Sequence, residues 1–114
     1  MIKLVATDID GTILIPEGEF RQEVKDCIRK LCESGIKVVL VTGRMNAAAA
    51  LIAQDLRLNT PIISYQGGLV VENGKTLYEK CITVEQAERI IKWAKEEHIH
   101  INLYNNDTLY AESE

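Results

Sequence analysis

Apolar residues gather into two short runs, Ile2 to Ala6 and Ile36 to Val41, on either side of a stretch with a different rhythm. In that stretch Phe20, Val24, Cys27, Ile28, Leu31 and Cys32 recur at helical spacing. The runs read as strands, near-continuous as in a parallel sheet covered on both faces, and the second is rich in β-branched residues. The spaced stretch predicts a core-facing helix that Gly35 stops. Strand, helix and strand in this order make a parallel crossover unit.

The pattern continues with Asn46 to Ile52, an alanine-rich helix former that follows the second strand almost at once. Thr60-Pro61 introduces a short third strand, Ile62-Ile63-Ser64, followed by Tyr65-Gln66-Gly67-Gly68 and Leu69-Val70-Val71. Residues 70 to 78 read as a hairpin turned by Asn73-Gly74, the preferred two-residue turn between strands. Thr83 and Gln86 fit a capping box, and Ala87, Ile90, Ile91 and Ala94 continue an apolar helical face on which Glu88 and Lys92 can pair. His98 to Tyr104 alternates as a strand, Asn105-Asn106-Asp107 turns, and Thr108 to Ala111 returns beside it.

These elements make an α/β chain with a Rossmann-like parallel sheet in residues 1–79 and an α+β segment beginning in residues 80–114. The 114 residues suffice for about one domain that buries some two thirds of its unfolded surface. No apolar run approaches the roughly 18 residues of a membrane span, and Met1-Ile2-Lys3-Leu4 lacks the build of a signal peptide, so a cytoplasmic setting is expected. A net charge of −4 with dispersed Lys and Arg argues against a nucleic-acid partner and suits a small anion held at a local positive site. Cys27, Cys32 and Cys81 show neither a disulfide nor a zinc spacing and read as reduced, mostly buried fillers.

Chemistry concentrates where the first apolar run ends, in Asp8-Ile9-Asp10-Gly11-Thr12. If the backbone stays extended, residues two apart project to one side, so Asp8, Asp10 and Thr12 can converge, with Gly11 letting the chain turn away behind them. Two close carboxylates repel, and a bound Mg²⁺ would relieve that repulsion. Taken alone, Asp-x-Asp also fits a strand ending in an Asp-Gly turn. The second strand ends in Thr42-Gly43-Arg44 beside a helix N-terminus, a setting that favours a phosphoryl oxygen, although a plain Thr-Gly turn would look the same. His98 and His100 could share a strand face, but no third ligand type lies near them.

Asp8-Ile9-Asp10-Gly11-Thr12 resembles the first motif of the haloacid dehalogenase superfamily of phosphohydrolases, and Val41-Thr42-Gly43-Arg44 resembles its second. The order of elements is similar to the Cof-type branch, in which a large cap is inserted after the second motif. Gln66-Gly67 stands where that branch usually carries Asn-Gly. The resemblance implies hydrolysis of a phosphate monoester, such as a sugar phosphate, through an aspartyl-phosphate on Asp8. Asp10 would transfer protons, a role requiring a pKa above its ordinary value. By the same resemblance Asp8 and Asp10 would hold Mg²⁺, the latter also through its carbonyl. Thr42 and Gly43 would bind the phosphoryl group together with Gly11 and Thr12, and Arg44 would aid binding or structure the turn.

The superfamily's third and fourth motifs, a Lys and an acidic metal-binding pair that follow the cap, have no match here, so the chain reads as the N-terminal part of such a phosphatase. Alternatives are a catalytically silent relative that binds phosphate or self-associates through an exposed sheet edge, and a receiver-type phospho-acceptor. A receiver domain would end its third strand in the phosphorylated Asp, whereas here Ser64-Tyr65 stands there.

Overall fold

The computed structural model describes residues 1–15 and 18–111 as two compact units, Met1–Glu79 and Lys80–Glu114. In the first, β1 (Leu4–Thr7), β2 (Lys37–Val41), β3 (Ile62–Ser64), β4 (Leu69–Glu72) and β5 (Lys75–Glu79) form one sheet in that spatial order. The sheet is parallel from β1 to β3 and antiparallel from β3 to β5. Helix α1 (Gln22–Glu33) links β1 to β2, and α2 (Asn46–Asp55) links β2 to β3. The α/β expectation holds.

Local chemistry explains the boundaries. Past Ser34 the chain turns through Gly35 at φ 78°, where the Gly35 amide donates to the Cys32 carbonyl (3.0 Å) and the Ile36 amide to that of Leu31 (3.0 Å). This pair of bonds satisfies carbonyls that the end of α1 leaves over, in a conformation that suits glycine. Asn73 and Gly74 both take positive φ between β4 and β5, as a two-residue hairpin turn demands.

The core gathers Ile9, Leu14, Ile28, Val38, Leu40, Ala49, Ala53, Leu56 and Leu58 beneath the sheet's parallel half. Val38, Val39 and Leu40 are buried in succession, as a central parallel strand should be. The first strand departs from expectation: Ile2 is 70% and Leu4 51% exposed, because β1 lies at the sheet's edge and, among the described residues, pairs with β2 alone. Cys27, Cys32 and Cys81 are exposed instead of buried. On α1 the buried face is carried by Ile28, flanked by Val24 and Leu31, so the two cysteines lie outside it.

In the second unit, α3 (Val84–Glu96) precedes a hairpin of β6 (Asn102–Asn105) and β7 (Thr108–Ala111). Both halves of the capping box form: the Gln86 amide donates to Thr83 Oγ1 (3.2 Å), and the Thr83 amide to Gln86 Oε1 (2.8 Å). Lys92 lies 3.9 Å from Glu96 rather than pairing with Glu88. His98 to Ile101 is not strand. His98 takes φ 55° past the end of α3, and the Ile99 amide bonds back to the Ala94 carbonyl (2.8 Å), the same stop that Gly35 supplies for α1. His100 contacts Asn102 Oδ1 (3.0 Å), so the two histidines share no strand face.

Candidate active site

Parallel pairing of β1 with β2, with Thr7 opposite Leu40, brings the two segments that leave their C-terminal ends side by side. Asp8 and Asp10 follow β1, and Thr42, Gly43 and Arg44 follow β2. In open α/β sheets ligands bind beyond this end of the strands. An open cleft there is lined by Asp8, Asp10, Val41, Thr42, Gly43, Arg44, Gln66 and Gly67.

Ile9 is the anchor between the carboxylates. Its side chain is fully buried, which leaves Asp8 and Asp10 on the opposite, solvent side of the chain. The Ile9 carbonyl then accepts from the amides of Thr12 (3.2 Å), Ile13 (3.1 Å) and Leu14 (2.9 Å), so the chain coils tightly around it. Gly11, at φ 73°, permits that coil and donates to the Leu14 carbonyl (3.0 Å). Thr12 is carried away by the turn and, with Gly11, lies outside the residues that line the cleft. The expected convergence of Thr12 with the carboxylates fails because the backbone is not extended past Asp10. In sequence, the apolar stub Ile13-Leu14-Ile15 followed by the turn residues Pro16-Glu17-Gly18 predicts a loop over the site, and of these Pro16 and Glu17 fall outside the described residues.

Thr42 is 3% exposed, and its hydroxyl oxygen accepts from the Arg44 amide (3.1 Å). That bond occupies the oxygen and leaves the hydroxyl proton for an anion in the cleft. Arg44 is the surprise. Its Nε donates to Asp10 Oδ2 (2.8 Å) and its Nη2 to Asp10 Oδ1 (2.6 Å), a two-pronged grip on one carboxylate. These hydrogen bonds, with the adjacent positive charge, hold the Asp10 carboxyl below its ordinary range against a smaller opposing effect of burial. The raised pKa expected of a proton donor is absent, and Arg44 gives Asp10 a positive counter-charge.

The Thr7 hydroxyl donates to the Asp8 carbonyl (3.0 Å), while among the described residues the Asp8 carboxylate itself accepts no hydrogen bond and meets no cation. Among the described residues no group of three or more His, Cys, Asp or Glu is placed to hold a metal ion. A residue the sequence reading gave no role also faces the cleft: a Cβ built on Gly43 would run into the Gln66 carboxamide, which lies directly over that glycine.

A profile of haloacid dehalogenase-like hydrolases matches residues 5–114. The chain is 27% identical over 111 residues to the phosphatase YwpJ of Bacillus subtilis, covering 96% of this chain and 39% of the relative. It is 30% identical over 112 residues to the pyridoxal phosphate phosphatase YbhA of Escherichia coli, covering 96% of this chain and 41% of the relative. The solved structure of a haloacid dehalogenase-like hydrolase from B. subtilis superposes with a TM-score of 0.89 at 26% identity, covering 99% of this chain and 40% of that one. The chain thus spans about two fifths of the length of the relatives it matches. From the first carboxylate motif to the β6–β7 hairpin, it belongs to the haloacid dehalogenase-like hydrolase family.

Proposed function

We propose that the chain is the nucleophile-bearing part of a Mg²⁺-dependent phosphatase of the Cof type that acts on small phosphate monoesters such as sugar phosphates. In this reading residues 1–79 belong to the catalytic core and residues 80–114 begin its cap. The observation that carries it is the meeting of Asp8, Asp10, Thr42, Gly43 and Arg44 in one cleft at the C-terminal ends of two adjacent parallel strands. A relative named for hydrolysing pyridoxal phosphate supports the class of substrate.

An Asp8 carboxylate oxygen attacks phosphorus, and the bond from phosphorus to the ester oxygen breaks as that oxygen takes a proton from Asp10. A water then gives a proton to Asp10 while its oxygen attacks phosphorus, releasing inorganic phosphate and restoring the Asp8 carboxylate. The Thr42 hydroxyl and the Gly43 amide hold phosphoryl oxygens throughout. Asp10 can donate only when protonated, so Arg44 has to let go of it first, and the incoming phosphoryl group offers the guanidinium another anion. The open carboxylate of Asp8 and the Asp10 carbonyl are hard oxygen donors that suit Mg²⁺, an ion that binds through few protein ligands and keeps several waters. When bound it would neutralise charge developing on the phosphoryl oxygens.

One observation favours a second reading, a phosphate-binding chain without turnover: both Asp10 oxygens are already engaged by Arg44. Calorimetry with Mg²⁺ and inorganic phosphate separates either reading from none. Binding in the wild type that disappears in an Asp8→Ala, Asp10→Ala double variant is the expected result. Equal binding by the two proteins would reject the site.

A further inference from the structure

We infer that Gln66 is a phosphoryl-binding residue, its carboxamide donating to the same oxygen that the Gly43 amide would hold. The inference rests on the reading of the cleft as a phosphate site. Three observations carry it. The carboxamide lies over Gly43 so closely that any side chain at 43 would have to displace it, which places a second N–H donor beside the Gly43 backbone. Gln66 lines the cleft together with Asp8, Asp10 and Thr42, and among the described residues no protein group accepts from its side-chain carboxamide.

The third observation is the backbone. Tyr65, Gln66 and Gly67 take φ of 50°, 56° and 91° in succession, although neither Tyr nor Gln favours the left-handed region. Two bonds stitch this turn to the phosphate-binding turn: the Tyr65 amide donates to the Arg44 carbonyl (3.0 Å) and the Gln66 amide to the Thr42 carbonyl (3.2 Å). A glycine at 66 would satisfy that geometry at lower cost. Strained residues persist where their surroundings hold them, and they gather at ligand sites. What the strained position gains here is a neutral, two-proton donor aimed across a glycine.

The test is an NMR titration of the chain with inorganic phosphate at fixed Mg²⁺, comparing wild type with Gln66→Gly, Gln66→Glu and Thr42→Val. The glycine variant relieves the backbone and removes the donor, so its thermal stability should hold or rise while its phosphate affinity falls about three- to tenfold. Gln66→Glu keeps the shape, replaces the donor with a negative charge, and should bind more weakly still. A purely structural role for the side chain would make affinity follow stability. Wild-type binding that Thr42→Val weakens but both Gln66 variants leave intact overturns the role of Gln66 alone. No phosphate-induced shift at residues 8–10 and 42–44 of the wild type overturns it together with the phosphate site.

Discussion

Arg44 grips Asp10 through two parallel hydrogen bonds of 2.8 and 2.6 Å, tying the turn after β2 to the turn after β1. The two residues are only partly covered, with 36% and 55% of their side chains exposed, so the pair matters more for the state of Asp10 than for stability. Its consequence is a carboxylate kept ionised at the position where the proposed mechanism calls for a proton donor.

Replacing Arg44 with Met should therefore let the Asp10 pKa rise, because the hydrogen bonds and the positive charge that favour the ionised form are both lost. The sign for stability follows. A carboxyl depressed in the folded state adds stability above its unfolded pKa and loses it as pH falls through its folded pKa. Carbon-detected NMR of the Asp10 carboxyl should show an acidic midpoint in the wild type and a higher one in Arg44→Met. Matching midpoints would mean the grip does not persist in solution.

Ile9 is fully buried between the two carboxylates, so Ile9→Ala should cost about 2–5 kcal/mol in urea unfolding and loosen both acids together. Ile9→Val, which removes one methylene, should cost about 0.5–1.5 kcal/mol. Costs near zero for both would show that the residue does not anchor the site.

The Thr83 capping box predicts a local effect. Thr83→Ala should weaken α3 by about 1 kcal/mol, seen as faster hydrogen exchange at the first amides of the helix while those of β2 are unchanged. Uniform acceleration along the chain would instead mean that the two units unfold as one.

Among the described residues no strand pairs with the outer side of β1, which also carries the exposed Ile2 and Leu4, the kind of edge that recruits another strand. We expect a concentration-dependent rise in mass by light scattering, reduced by Leu4→Lys. A monomer at every concentration would remove self-association through this edge.

Much of the fold was legible because its signals are local. Gly35, Asn73-Gly74 and the Thr83 to Gln86 box each announce an element's end within a few residues, and each holds. The errors come from what local pattern cannot carry. The apolar run of β1 looks buried, but exposure depends on whether a neighbouring strand is present, not on the run itself. His98 reads as strand by alternation, yet the end of α3 uses it as a left-handed stop, a position where glycine would have been the visible signal.

The site follows the same division. Asp8, Asp10, Thr42 and Gly43 were found from strand ends and turn residues, and all line one cleft. Thr12 was misplaced because extension was assumed beyond Asp10, where Gly11 in fact begins a coil around the Ile9 carbonyl. The Arg44 to Asp10 grip joins residues 34 apart in sequence, and no spacing rule reveals such a pairing. Gln66 gave a weak signal: its place before Gly67 was noticed, but its position over Gly43 needs the fold.

The central claim is that Asp8 is the nucleophile that takes up a phosphoryl group, and beryllofluoride tests it because this ion bonds to a carboxylate oxygen in the manner of a phosphoryl group. Fluorine NMR of the chain with beryllofluoride and Mg²⁺ should show protein-bound resonances that are absent from Asp8→Asn. Bound resonances that persist unchanged in Asp8→Asn, or none with folded wild type, would contradict the assignment.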